Sequence, residues 1–151
     1  MKVTVLGSGQ WGTTLAQVLC DAGNDVLIWG RNQSVVDEIN SVHTNQKSLP
    51  ATGLPESLRA TSDISIALAH SQMTVLAVPA QSLRENLKQW KSLFSPDIPI
   101  ISSLKGIEVS TQLRMTEVIR EVLNFDEKKL AIITGPNLAR EVVLQIGRAH
   151  V

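Results

Sequence analysis

The run Gly7-Ser8-Gly9-Gln10-Trp11-Gly12 follows a short apolar segment, Lys2-Val3-Thr4-Val5-Leu6, and leads into an amphipathic one. Three glycines at this spacing suit phosphate binding. Gly7 permits a tight turn out of a strand, Gly9 lets the backbone approach a pyrophosphate because no side chain intervenes, and Gly12 lets a helix pack close to a sheet. A helix starting at this point offers unpaired N–H groups and the positive end of its dipole to an anion. The glycine string alone is weak evidence; the strand before it and the helix after it make it specific. A glycine-rich turn without a ligand is the competing reading, and it must explain three residues that weaken a helix start.

Further residues bear on what is bound. An acidic residue about twenty positions on, at the end of the second strand, would hold the ribose hydroxyls of NAD. Here the sequence is Trp29-Gly30-Arg31-Asn32, with no acid. Arg31 suits a 2′-phosphate, by bidentate pairing and by stacking on adenine, which favours NADP and leaves NAD as the alternative. A solvated arginine after a strand is the plainer reading. Lys105 follows a fifth apolar run, at the edge where open α/β sheets bind ligands, and a lysine there suits a phosphate or a polarised carbonyl. Gly135-Pro136-Asn137 follows a sixth run and opens a helix, another anion or hydroxyl site. The plainer readings are a surface lysine and a loop with proline at the first helical position.

These residues need a scaffold, and hydropathy patterning supplies one. Strands are expected at 3–6, 25–29, 58–61, 73–78, 98–102 and 130–134. Helices are expected at 13–22, 33–42, from an Asp63 cap through 69, at 81–93 and 111–123, and from Leu138 onward. Gly23-Asn24 ends the first helix. Residues 45–55, broken by Pro50, Gly53 and Pro55, form a loop. Alternating strands and helices with apolar strands predict a Rossmann-like, doubly wound, mostly parallel sheet with helices on both faces.

Composition narrows the class. The chain has 151 residues, 43% hydrophobic, with formal net charge zero. That length suits one domain, which buries about 70% of its unfolded surface. Without a basic stripe, nucleic acid and anionic membranes are not expected as partners. No run reaches the ~20 apolar residues of a membrane span, and the N-terminal segment lacks the order of a signal peptide, so the expected location is cytoplasmic. The single cysteine, Cys20, excludes an intramolecular disulfide and a cysteine zinc site, and reads as a small buried hydrophobe. No metal site is expected. His43 and His70, isolated at helix ends, read as surface residues.

Several segments in order resemble one family. They are Gly7-Ser8-Gly9-Gln10-Trp11-Gly12-Thr13, Ile28-Trp29-Gly30-Arg31, Asn45-Gln46-Lys47-Ser48-Leu49-Pro50, Val78-Pro79-Ala80, Ser103-Leu104-Lys105-Gly106-Ile107-Glu108 and Thr134-Gly135-Pro136-Asn137-Leu138-Ala139-Arg140-Glu141-Val142. Together they resemble the N-terminal, NAD-binding domain of bacterial NAD(P)-dependent glycerol-3-phosphate dehydrogenase. The resemblance implies hydride transfer between NAD(P)H and dihydroxyacetone phosphate, giving sn-glycerol 3-phosphate for phospholipid synthesis. It also implies that Gln10 and Trp11 contact the cofactor and that Arg31 holds its adenosine end. Lys105 would face cofactor and substrate, Gly135 and Asn137 the substrate, and Ala139 the cofactor. Two positions depart from the family: Ser48 stands where tyrosine is common, and Asn137 where threonine or serine is frequent.

The same resemblance implies an all-helical second domain carrying the general-base lysine, with a homodimer in the full-length enzyme. Residues 1–142 are therefore expected to form the dinucleotide-binding domain, with 143–151 a truncated or artefactual tail, since 146–151 reads as a translated sequencing adapter. No catalytic residue is assigned within the chain, and alone it is expected to bind NADP(H) weakly and turn over nothing. Two alternatives stand beside this reading: the cofactor domain of another two-domain NADP-dependent reductase, for hydroxy acids or ketopantoate, and a non-catalytic nucleotide-sensing domain.

Overall fold

A computed structural model of the chain describes residues 1–135 and 138–144. Its strands are β1 (Lys2–Leu6), β2 (Asp25–Trp29), β3 (Arg59–Thr61), β4 (Met73–Leu76), β5 (Ile100–Ser102) and β6 (Leu130–Ile132). They form one sheet in the order β3-β2-β1-β4-β5-β6. The expected sheet was mostly parallel; every pairing among the described strands is parallel. Leu6 lies opposite Trp29 on one side and Leu76 on the other. From β1 the chain builds outward to β3, then returns to place β4 on the other flank of β1. The crevice at that reversal, beyond the carboxyl ends of β1 and β4, is where such sheets bind ligands.

Helices α1 (Gln10–Asp21), α2 (Gln33–Val42), α3 (Ile64–His70), α4 (Leu83–Trp90), α5 (Met115–Leu123) and α6 (Ala139–Val143) cover both faces. Successive strand residues point to opposite faces. Val3, Val5, Val26, Ile28 and Val75 pack with Leu15 and Ala16 of α1 and Val36 and Ile39 of α2. Leu6, Trp29 and Leu76 pack with Leu68 of α3, Leu87 and Trp90 of α4, and Ile119 of α5. Burial on both faces is why the central strands are near-continuous apolar runs. Their two threonines conform because each hydroxyl is satisfied. Thr4 Oγ1 donates to the Ala67 carbonyl at 2.7 Å, and the Thr74 and Ser71 hydroxyls lie 2.9 Å apart. Trp29 meets Trp90 edge to face with ring centroids 4.9 Å apart, and its Nε1 donates to the Ser62 carbonyl.

Helix ends follow local chemistry. Gly23, at φ +80°, takes the left-handed conformation that ends α1, and its N–H bonds the Cys20 carbonyl at 2.8 Å. The Asp63 carboxylate accepts the N–H groups of Ser65 and Ile66 at the start of α3. Those hydrogen bonds, with the Ser65 hydroxyl first among them, hold its acid below the ordinary carboxylate range. Cys20 is buried as expected, and that burial pushes its thiol up.

Several boundaries differ from the sequence expectation. The first helix starts at Gln10 rather than residue 13, so Gln10, Trp11 and Gly12 form its first turn. The segment expected as one helix at 81–93 is α4 flanked by 3-10 turns at Ala80–Ser82 and Lys91–Leu93. The helix expected from residue 111 begins at Met115. Residues before it fold back on themselves, with Ile107 bridging Arg114 and Gln112 at φ +60°. His70 is half-buried rather than fully exposed: its side chain is 10% exposed, with Nε2 3.1 Å from the Asp25 carbonyl. His43 is half-buried at the left-handed end of α2. Among the described residues, no helix is long and apolar enough to cross a membrane.

Candidate functional site

The glycine run turns directly from β1 into α1. Gly7 takes φ +128°, and a Cβ on it would stand 2.5 Å from the Ala77 carbonyl oxygen, so only glycine fits between β1 and the residues after β4. A Cβ on Gly12 would collide with the Gly7 carbonyl oxygen and stand 3.2 Å from the Ala77 side chain. Gly9 is different in kind. A Cβ there would meet no atom within 4 Å, so its lack of a side chain leaves space above the loop rather than relieving a clash. Gly9 caps α1 without a side-chain hydrogen bond, and the first turn holds no acidic residue, so its N–H groups face outward with their dipole uncompensated.

A cavity of about 620 Å³ opens over this turn. Its lining includes Gly7, Gly9, Gln10 and Trp11 from the loop, Arg31 from the end of β2, residues 77–80 after β4, Ser103 to Lys105 after β5, and Ala139 from α6. The structure thus gathers most of the sequence-predicted residues on one crevice. Gly12 lies just beneath it, buried against Gly7. Arg31 is exposed at the rim. Lys105 Nζ donates to the Gly135 carbonyl at 2.9 Å, which ties together two of the three predicted substrate residues. Thr14 Oγ1 of α1 lies 3.4 Å from the Ala139 carbonyl, joining α6 to α1. Asn137 falls outside the described residues.

Lys105 sits on a braced loop. Glu108, three residues on, is buried and paired with Arg84 of α4, whose Nε lies 3.0 Å from both carboxylate oxygens. Thr111 Oγ1 also donates to Glu108, and Arg84 Nη1 reaches Glu121 of α5 at 2.7 Å. The Arg84 guanidinium, then the Thr111 hydroxyl, holds the Glu108 carboxyl below the usual range, and the two carboxylates push the Arg84 guanidinium up. Gln81 adds a backbone clasp: Nε2 donates to the Ile107 carbonyl at 2.8 Å, and Oε1 accepts the Val109 N–H at 3.0 Å.

Sequence reasoning missed three supports. Asn45 is fully buried, and its Nδ2 donates to the Ser8 carbonyl and to Thr13 Oγ1, each at 2.9 Å. Its sequence signals were a loop punctuated by proline and glycine and a place in one of the family-like segments, neither of which points to the glycine turn. Gly30 is demanded by Ser8, since a Cβ would collide with the serine hydroxyl and stand 2.9 Å from its Cβ. Arg84 and Glu108, twenty-four residues apart, carry no local pattern linking them.

The chemistry of the crevice fits a dinucleotide. Gly9 leaves an open approach to free backbone N–H groups at the start of α1. Two basic side chains, Arg31 and Lys105, line the cavity. Sheet order and site together define a Rossmann-type nucleotide-binding domain. The sequence matches, over residues 2–150, the family described as NAD-dependent glycerol-3-phosphate dehydrogenase N-terminus, and the chain belongs to that family.

Similar proteins agree. Glycerol-3-phosphate dehydrogenase (NAD(P)+) of Streptomyces avermitilis is 44% identical over all 151 residues, which correspond to 45% of its own length. The Thermobifida fusca enzyme of the same name is 49% identical over 142 residues, covering 93% of this chain and 42% of that protein. The solved structure of glycerol-3-phosphate dehydrogenase from Saccharomyces cerevisiae superposes with a TM-score of 0.85 at 31% identity, covering 96% of this chain and 44% of that one. The chain therefore spans less than half the length of these relatives. Family membership makes NAD or NADP the cofactor class.

Proposed function

We propose that residues 1–142 form the cofactor half of an enzyme interconverting dihydroxyacetone phosphate and sn-glycerol 3-phosphate, a step toward phospholipids, and that this half prefers NADPH. The observation carrying the proposal is the single crevice in which the open glycine turn at the start of α1 faces Lys105 and its partner Gly135. Gly7 and Gly12 shape the turn, while Gly9, Gln10 and Trp11 receive the pyrophosphate on backbone N–H groups. Arg31, at the rim after β2, takes the 2′-phosphate, where an acid would repel it. Ala139 closes the side nearest α6.

The nicotinamide, when bound, supplies the hydride. Lys105 contributes a point charge directed to the substrate end, held there by the Glu108–Arg84 brace. Gly135 and Asn137 contact the substrate, and the acid–base group comes from a domain beyond this chain, as a homodimeric cytoplasmic enzyme of the family would provide. Calorimetric titration of the 151-residue chain with NADPH and NADH tests the reading. Binding of both, with NADPH tighter, is expected; binding of neither would refute it. Dehydrogenase turnover by the chain alone would refute the division of labour.

A further inference from the structure

Three side chains converge on one carbonyl of the glycine turn. Asn45 Nδ2 donates to the Ser8 carbonyl oxygen at 2.9 Å, Ser48 Oγ at 3.2 Å and Thr13 Oγ1 at 3.3 Å. Asn45 Nδ2 also donates to Thr13 Oγ1 at 2.9 Å, so the hydroxyl that Thr13 turns on Ser8 is itself oriented. Asn45 has no solvent exposure, and the loop that carries it is fixed below α2, where the Glu38 carboxylate accepts the Gln46 N–H at 2.7 Å and the Thr44 hydroxyl at 2.8 Å. The Ser8 carbonyl thus has a rigid polar seat on three side chains that, unlike Ser8 itself, do not line the cavity.

Peptide geometry converts that seat into an aim. The Ser8 carbonyl and the Gly9 N–H belong to one peptide plane and, in a trans peptide, point in opposite directions. The Gly9 N–H donates to no described residue, and Gly9 lines the cavity. We infer that Asn45, aided by Ser48 and Thr13, is a positioning residue that fixes the Ser8–Gly9 peptide so that the Gly9 N–H is directed at the dinucleotide pyrophosphate. This rests on the proposed dinucleotide binding. Position 48 thereby acts through the turn: its serine hydroxyl supports Asn45 on the same oxygen.

The test compares wild type, Asn45→Ala and Ser48→Ala, as isotope-labelled 151-residue chains titrated with NADPH. Dissociation constants come from calorimetry, and the Gly9 amide proton is followed by NMR. In wild type, saturation moves the Gly9 proton downfield. In Asn45→Ala, affinity falls about tenfold, the effect of one lost hydrogen bond on a phosphate-binding donor, and the Gly9 displacement at saturation shrinks. A role in stability alone would lower Tm and leave that displacement unchanged. Should Asn45→Ala not fold, Ser48→Ala, which removes one peripheral donor, carries the same two readouts with a smaller drop. An unmoved Gly9 proton in NADPH-saturated wild type, or variants equal to wild type in both readouts, overturns the inference. Absence of NADPH binding by wild type overturns the function on which it rests.

Discussion

The glycines of the turn differ in what each prevents, and alanine at two of them separates folding from binding. At Gly12 a methyl group would fall on the Gly7 carbonyl oxygen and stand 3.0 Å from its carbon and 3.2 Å from Ala77 Cβ. The main obstacle is backbone, so no side-chain rotation relieves it; α1 must move off β1. The gain of up to about 1 kcal/mol from replacing a helical glycine is overrun by an overpacking cost of about 3 kcal/mol or more, since such costs run about 1–3 kcal/mol even where side chains can give way. A net loss of about 2 kcal/mol lowers Tm by roughly 4–8 °C in a domain of this size. At Gly9 the same methyl group meets nothing within 4 Å, and φ −72° suits alanine. The lower chain entropy of the unfolded state and the poorer helix cap then offset each other to within about 0.5 kcal/mol. Gly9→Ala is therefore expected to melt with wild type yet lose NADPH binding, because its methyl group occupies the pyrophosphate approach. Gly12→Ala is expected to lose both. Thermal melts paired with NADPH titrations measure this; equal melting of all three proteins, or wild-type affinity in Gly9→Ala, would refute the reasoning.

Arg31→Asp is expected to weaken NADPH binding roughly 10- to 100-fold, the worth of a charge-assisted contact, while NADH is held or improved; paired titrations with the two dinucleotides measure the reversal. Glu108→Gln removes the charge that balances Arg84, whose side chain is only 16% exposed. Because Arg84 keeps Glu121, the expected cost is about 2 kcal/mol rather than the larger penalty of a fully orphaned charge, and chemical denaturation reads it. The same pair gives a pH signature. Glu108 ionises more readily folded than unfolded, so its contribution is whole above its unfolded pKa of about 4.3 and is lost as pH falls through the lower folded value. The stability gap between wild type and Glu108→Gln should be constant above about pH 5 and close on further acidification.

Much of this architecture was legible because it is local. The β-branched run ending at Gly7, the glycine that stops α1 and the Asp63 cap each act within a few residues, and all appear where expected. What failed was governed by distant partners. His70 reads as a helix-end surface residue until β2 brings the Asp25 carbonyl to it. The helix before Leu123 starts late because Glu108, drawn inward by Arg84, folds residues 107–114 into a hairpin-like loop. Asn45 reads as loop chemistry, and only the fold shows that its amide meets the glycine turn. The residues that gather on one crevice could be picked out from sequence; the polar supports behind it could not, since such pairs have no periodicity.

The indole pair between β2 and α4 has an optical consequence. The chain holds three tryptophans and no tyrosine, so its near-ultraviolet signal arises almost entirely from indole rings. Trp11 and Trp29 line the cavity, and Trp90 touches Trp29 at 4.9 Å, close enough for their electronic transitions to couple. Dichroism from that coupling reports the packing of α4 on the sheet. Emission from the two cavity indoles overlaps reduced-nicotinamide absorption, so excitation energy should pass to a bound dinucleotide. The molecule thus carries intrinsic signals for its core and its crevice, with Trp29 common to both and no dye attached.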